Sequence, residues 1–372
     1  MSKKNESKVR EPLFHIAKRN SMVWWKAWLV RGAAILASLV VCALIIVLLT
    51  KQNPLEVYAS MFKGSFGTKR KVWILLQNMA ILLCISLAVT PAFKMRFWNL
   101  GAEGQVLAGA MAAAACMVLL GDKVSSNVII LCMIVSAIAA GALWAGIPAF
   151  FKAKFNTNET LFTLMMNYVA TQIVAYFCVK WENPVGSCTI GVINQSSMAG
   201  WLPELGNKYL LVILVAVFMT AVVYFYLNYT KHGYEIAVVG ESERTARYIG
   251  IKVPRVIIRT MLFSGAICGL AGLLLVGGIH HTVSTSLVGG QGFTAVMVSW
   301  LAAFNPVVMI LTSALLIFMG SGANQLASSC GLNQSFGDIL TGVLIFFIIG
   351  SEFFVQYKIS FRKKNREVSE NV

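Results

Sequence analysis

Nine stretches of this chain are apolar enough and long enough to be read as bilayer crossings, and no water-soluble core has room for nine such segments. They occupy residues 32–49, 72–90, 105–120, 127–151, 161–179, 209–227, 256–279, 307–326 and 337–356, where one crossing helix needs about 20 mostly apolar residues. A tenth run, 293–304, is short and is bounded by "GGQG" and by Asn305-Pro306. The pattern predicts an all-α membrane protein, a polytopic bundle of about ten transmembrane helices. Composition agrees, because 58% of the 372 residues are hydrophobic and only 12% are charged, when soluble domains carry roughly a quarter charged residues.

The net charge of +16 would suit a nucleic acid if it were gathered on one face. The basic residues instead fall in the gaps between apolar runs, which is a juxtamembrane pattern, so lipid is the expected surrounding and no nucleic-acid partner is expected. The first run follows a basic tail, 1–31, holding Lys3, Lys4, Lys8, Arg10, Lys18, Arg19, Lys26 and Arg31. No small-residue cleavage site follows, so this run reads as a retained signal anchor. The positive-inside rule places the tail in the cytoplasm. Ten crossings then put Lys94 and Arg96, Lys152 and Lys154, the loop 229–256 and the C-terminal tail 357–372 on the same side. The expected organisation is a transmembrane domain, 32–356, between two basic cytoplasmic tails. One gap runs against it, since Lys63, Lys69, Arg70 and Lys71 cluster in the first outer loop. The eight cysteines show no CxxC spacing and read as packing. Cys188 and Cys330 both fall in predicted outer segments, which leaves a disulfide between them open.

Within "FWNLGAEGQVLAGAMAAAA", residues 97–115, Gly101, Gly104 and Gly109 interrupt an apolar run together with Glu103 and Gln105. Glycine weakens helices and a buried carboxylate must find a partner, so the stretch predicts a special structure. A second glycine–glutamine cluster, "GGQG" at 289–292, precedes the short tenth run. Counting span directions places the two clusters on opposite sides of the membrane. That is the expectation for inverted-topology repeats, whose glycine-interrupted helices point at a substrate near the midplane; chance likeness between glycine-rich patches is the competing explanation. Glu103 has two readings: it holds backbone amides or the nearby Lys94 and Arg96, or it lines a pathway. Glu159, just after Asn158, suits a helix N-terminus. The amides of Asn167, Gln172, Gln77 and Asn78 serve either as interhelical glue or as pathway lining, and Gly265, Gly269 and Gly272 form a small-residue face for close helix packing.

No G-x-x-x-x-G-K-[ST] loop, H-E-x-x-H or G-x-S-x-G is present, so any ATP that drives this chain is bound elsewhere. No catalytic residue and no metal site is expected; the adjacent His280 and His281 read as a wetted interfacial pair. The loop "TKHGYEIAVVGESERTARYIGIKVPR", 230–255, contains a short amphipathic helix. Ser242 caps it, Glu243 suits its N-terminus, Ala246, Tyr248 and Ile249 give it an apolar side, and Gly250 and Pro254 stop it. Such a helix packs on its own protein or on headgroups, or docks into a partner.

Taken together, "FWNLGAEGQVLAGAMAAA", "NETLFTLMMNYVA" (158–170) and "HGYEIAVVGESERTARYIGI" (232–251) resemble the permease subunits of bacterial ABC importers of the branched-chain amino acid and simple-sugar superfamily. The likeness runs from about residue 32 to 356 and is greatest to nucleoside-type, guanosine-transporting permeases. Trp98 is a departure, because relatives typically read Phe-Asn directly. The resemblance implies a type II importer permease with inverted repeats in the bacterial cytoplasmic membrane. Its implied partners are ABC ATPase subunits, a second homologous permease in a heterodimer, and an extracytoplasmic substrate-binding lipoprotein. The chain itself would bind no cofactor, ATP and Mg being used by the ATPase. Ser242, Glu243, Arg244, Thr245, Ala246, Arg247, Tyr248 and Gly250 would form the coupling helix. For a nucleoside, the candidate pathway comprises Phe97, Trp98, Asn99, Glu103, Gln105, Asn167, Gln291 and Trp300, aromatic faces beside amides. Alternatives are a simple sugar such as ribose as the solute, an ion-coupled secondary transporter, and a membrane scaffold or receptor that transports nothing.

Overall fold

The computed structural model of the chain describes residues 14–18, 23–51, 53–121, 123–330 and 334–361. The basic residues before Phe14 and after Phe361 lie outside them. In chain order the elements are β1 (Phe14–Lys18), α1 (Trp24–Thr50), α2 (Pro54–Phe66), α3 (Lys69–Lys94), α4 (Ala102–Leu120), α5 (Ser126–Phe155), α6 (Glu159–Lys180), α7 (Leu210–Tyr229), α8 (Lys231–Glu241), α9 (Glu243–Tyr248), α10 (Val253–Leu273) with a π-helical continuation (Leu274–His280), α11 (Gln291–Leu301), α12 (Pro306–Cys330), α13 (Gln334–Gln356) and β2 (Tyr357–Phe361). Eight of the helices, α1, α3 to α7, α10 and α12, are long and apolar enough among the described residues to cross a membrane. The short predicted run is α11 and the last is α13, so every run read from the sequence is helical. The chain is a multi-pass helical membrane protein.

Two details differ from the sequence reading. The first helix begins at Trp24, inside the stretch read as tail. The two tails also pair, β1 against β2 in antiparallel register, with Phe14 opposite Phe361 and Lys18 opposite Tyr357, an element outside the all-α expectation. The side chain of Cys330 lies outside the described residues, while Cys188 carries an exposed free thiol.

The chain forms two compact units, 1–61 with 323–372, and 62–322. In the first, α1 packs on α13, Tyr58 donates its hydroxyl to Leu39 O at 2.6 Å, and Cys42 and Ile46 are buried. In the second, α10 is the common partner of α3, α4 and α5. Its glycine face explains the closeness. A Cβ added at Gly269 would lie 2.1 Å from Ala137 O, one at Gly265 2.3 Å from Gly141 O, and one at Gly272 2.3 Å from Val106 O. Facing glycines answer from the other side, because Cβ atoms at Gly109 and Gly141 would meet the α10 backbone at 2.4 and 2.3 Å. Apolar side chains gain little by leaving lipid for protein, so close backbone packing of this kind holds membrane helices together.

Gly269→Ala is therefore expected to cost about 3 kcal/mol through overpacking, whereas Gly320→Ala, in a helical position with nothing within 4 Å, gains up to about 1 kcal/mol. Thermal unfolding of the two purified variants, followed by size-exclusion fluorescence, checks the contrast.

Candidate functional site

α3 ends at Lys94 and α4 does not begin until Ala102. Arg96 between them lies in the left-handed region at φ 62°, and Phe97 N donates back to Ala92 O at 2.9 Å. Side chains then satisfy the non-helical backbone. Leu100 N donates to Thr163 Oγ1 at 3.2 Å, Asn167 Nδ2 donates to Leu100 O at 2.8 Å, and Gly104 N donates to Asn167 Oδ1 at 2.8 Å. From the chain's own side, Gly101 N and Gln105 Nε2 both donate to Asn99 Oδ1, at 3.0 and 3.1 Å. Asn167 lies two turns into α6 from Glu159, about 12 Å along the axis, so the break is recessed among the helices. Glycines are needed here: a Cβ at Gly104 would sit 2.9 Å from Asn167 Oδ1 and one at Gly101 3.1 Å from Thr163 Cβ.

Glu103, in the first turn of α4, points across to the second glycine cluster. Its Oε1 accepts from Gly290 N and its Oε2 from Gly292 N, both at 2.8 Å. The carboxylate thus caps α11, whose N-cap, Gly290 at φ 78°, brings no side-chain cap of its own. A helix N-terminus favours negative charge, and charge-assisted bonds are the stronger kind. Gly292 has to be glycine for this contact, because its Cβ would lie 2.5 Å from Glu103 N. The two clusters therefore meet, and the expectation that they lie on opposite sides of the membrane is corrected. The reason is geometric: α11 has only 11 residues and α4 starts at a recessed break, so neither cluster sits at a membrane face. Of the two readings of Glu103, the amide-holding one describes its observed contacts; Lys94 and Arg96 are not its partners.

α11 has two faces. Gly292, Ala295, Val298 and Ser299 are buried, with Ser299 Oγ 2.9 Å from Thr90 Oγ1 of α3. Phe293, Met297 and Trp300, at positions i, i+4 and i+7, are exposed. Trp300 lies against Trp98, ring centroids 5.3 Å apart, and Phe93 stands edge-on to both. The two indoles remain 48% and 44% exposed. Among the expected pathway residues, Trp98 and Trp300 thus form one open aromatic surface, while Phe97, Asn99 and Gln105 are closed off and Asn167 is tied to backbone. Gln291, at the first position of α11, keeps a buried Oε1 without a hydrogen-bond partner. The sequence reading missed Thr163, whose one-turn spacing from Asn167 on α6 was the available signal, and Phe93. On α6, Tyr168, Gln172 and Tyr176 form a further exposed stripe. Glu159 pairs with Lys152 at 2.9 Å, and Asn158 Oδ1 caps α6 by accepting from Leu161 N at 3.1 Å.

The loop helix is α9. Ser242 Oγ accepts from Thr245 N at 3.2 Å, Arg247 Nη2 donates to Glu243 Oε2 at 3.3 Å, and Gly250 at φ 87° turns the chain away. Ala246 is buried, whereas Arg244 is exposed and Tyr248 is 92% exposed. α9 is seated by one small residue and presents the rest outward. Its neighbour α8 is fixed by His232, which is buried and whose Nδ1 is hydrogen-bonded to the Tyr226 hydroxyl.

The sequence profile of the family described as "Branched-chain amino acid transport system / permease component" matches residues 72–349. The chain belongs to this permease family. Three relatives cover most of the permease. A glucose ABC transporter permease protein of Haloferax volcanii, TsgB13, is 29% identical over 90% of both chains. The guanosine ABC transporter permease protein NupP of Bacillus subtilis is 28% identical over 79% of this chain and 85% of its own. The nucleoside ABC transporter permease protein NupB of Lactococcus lactis is 26% identical over 82% and 86%. The matched region of the permease contains the Glu103 contact, the indole pair and the whole 230–255 loop.

Glu103→Gln keeps only one acceptor oxygen and no charge. At about 1.5–3 kcal/mol per charged hydrogen bond, the Gly290 and Gly292 amides are expected to exchange with deuterium about 10- to 100-fold faster, read by hydrogen-exchange mass spectrometry. A second expectation concerns pH. Burial, then the Arg259 charge, pushes His232 below its ordinary value near 6.5, against the opposing pull of Glu235. The folded protein resists the proton that the unfolded chain accepts, so this contribution is fully present above pH of about 6.5 and is lost as the pH falls below it. Thermal unfolding between pH 7.5 and 5.5 should show the loss, and His232→Gln should flatten it.

Proposed function

We propose that this permease is the membrane subunit of an ATP-driven importer of nucleosides, purine ribosides foremost, in the cytoplasmic membrane of a bacterium with both termini in the cytoplasm. The observation that carries the reading is the exposed Trp98–Trp300 pair, at the opposite end of α11 from its Glu103 cap. Aromatic faces stack on a nucleobase. The guanosine and nucleoside relatives support the same solute class. The glucose relative favours a second reading, a simple sugar stacked on the same indoles.

In the proposed assembly the chain pairs with a second permease, receives solute from an extracytoplasmic binding lipoprotein and hydrolyses nothing. ATP and Mg2+ belong to two ATPase subunits, which seat α9 through Arg244, Arg247 and Tyr248. ATP binding closes the ATPases, α9 moves with them, and the pathway alternates between the two sides. A chain powered by an ion gradient would not need that seat.

Uptake of labelled guanosine, adenosine, uridine and ribose by cells carrying the full transporter tests the proposal. Nucleoside uptake is expected to vanish when the ATPase is disabled, and to vanish with Arg244→Glu plus Arg247→Glu while the permease still reaches the membrane. Trp98→Ala should raise the KM for nucleosides about 10-fold, the loss of roughly one base-stacking interaction. Uptake that survives without ATP hydrolysis overturns the importer reading, and uptake of ribose alone overturns the nucleoside one.

A further inference from the structure

Two cavities in the 62–322 unit adjoin at Tyr224 and at the chain step from Pro306 to Val307. The first, about 340 Å³, runs between α3, α7 and α12 and is walled by apolar side chains such as Leu76, Leu83, Val217 and Ile310. Val217, Phe225 and Val307 on its walls are exposed, so the groove opens on the surface of the unit. The second, about 320 Å³, is polar and gathers Lys94, Asn228 and Asn305.

The polar cavity offers donors. Lys94 has no carboxylate within ion-pair distance among the described residues, and no acidic residue lines the cavity. Asn305 Oδ1 is occupied by Val307 N at 3.0 Å, which leaves its NH2 group free to donate. Asn228 Nδ2 spends one hydrogen on Tyr224 O at 2.9 Å and retains the other. A cation and two amide donors ask for an anion. The groove behind them asks for hydrocarbon. Along α7 the lining runs from Asn228 back to Ile213, about 22 Å of helix, against about 15 Å for half the hydrocarbon core, so an entire acyl chain finds cover.

We propose that this is a binding site for one anionic phospholipid, its phosphate at Lys94, Asn228 and Asn305 and one acyl chain along the α3–α7–α12 groove. Cationic pockets between transmembrane helices recognise lipid headgroups in this way. Assignment to the cytoplasmic leaflet rests on the proposed orientation of the permease; the site itself does not. A free phosphate would use only the polar cavity, and a neutral lipid only the groove, so charge and hydrocarbon together specify the ligand.

The test uses the full-length chain in nanodiscs containing equal phosphatidylglycerol and phosphatidylcholine, with the lipid retained on the protein counted by native mass spectrometry. Phosphatidylglycerol should be retained about fivefold over phosphatidylcholine, the preference contributed by one cation. Lys94→Gln should bring the ratio to about one, and Lys94→Arg should preserve it, which separates charge from folding. Ala221→Trp, which fills the groove and leaves the cation in place, should lower retention of both lipids. An unchanged ratio in Lys94→Gln overturns the proposal. So does an anion signal that millimolar inorganic phosphate displaces and Ala221→Trp leaves intact, because that result marks a soluble-anion site.

Discussion

Backbone that leaves helical geometry inside a bilayer must have its hydrogen bonds supplied by protein, and the break between α3 and α4 is organised by that demand. Asn99, Thr163 and Asn167 supply the bonds at Leu100, Gly101 and Gly104, Gln105 holds the Asn99 side chain in place, and Glu103 extends the supply to a second chain segment at Gly290 and Gly292. Polar residues that look like a pathway lining in the sequence are consumed in this way. The surface left open beside them is apolar and mostly aromatic, made by Trp98, Trp300, Phe293 and Met297. Scaffold and candidate contact surface are thus divided by residue type: amides and the carboxylate hold the backbone, and indoles face outward.

The glycine seams of α10 are the complementary solution where helices stay regular. No side chain intervenes between Gly269 and the backbones at Ala137 and Gly109, so attraction acts over short distances along whole helices. Contacts of that kind cannot relax around an added methyl group, because the obstructing atoms are backbone. The π-helical stretch Leu274–His280 follows directly on this tightly packed region, and beyond it His281 stacks on Trp201 at a centroid distance of 3.8 Å.

Much of the fold was legible because hydrophobic runs of membrane length report helices with little ambiguity, and the glycine face at 265, 269 and 272 reported its own packing. The ends were less legible. Trp24 to Arg31 reads as a polar tail because Lys26 and Arg31 interrupt it, yet it continues the first helix, and the tail strands are too short to carry a periodic signal. At the candidate site the residues were legible and their partners were not. Glu103 drew notice as a buried acid, but nothing in the sequence links it to amides 187 and 189 positions away. Span counting places every gap between apolar runs at a membrane face, and that assumption separated the two glycine clusters. A backbone N–H has no letter in the sequence, so a carboxylate that binds two of them looks unpartnered until the fold is known.

The length of α11 turns that contact into a lever. Trp300 lies nine residues beyond Gln291, about 13 Å along the helix axis, and the Glu103 carboxylate holds the other end. A tilt of 5° about the capped end displaces the Trp300 ring by roughly 1 Å, a shift large enough to open a ring contact with Trp98, since dispersion falls steeply with separation. α4 and the indoles are thereby linked through one rigid helix, and the Ser299–Thr90 hydrogen bond beside Trp300 sets how far the aromatic surface can follow a movement of α4.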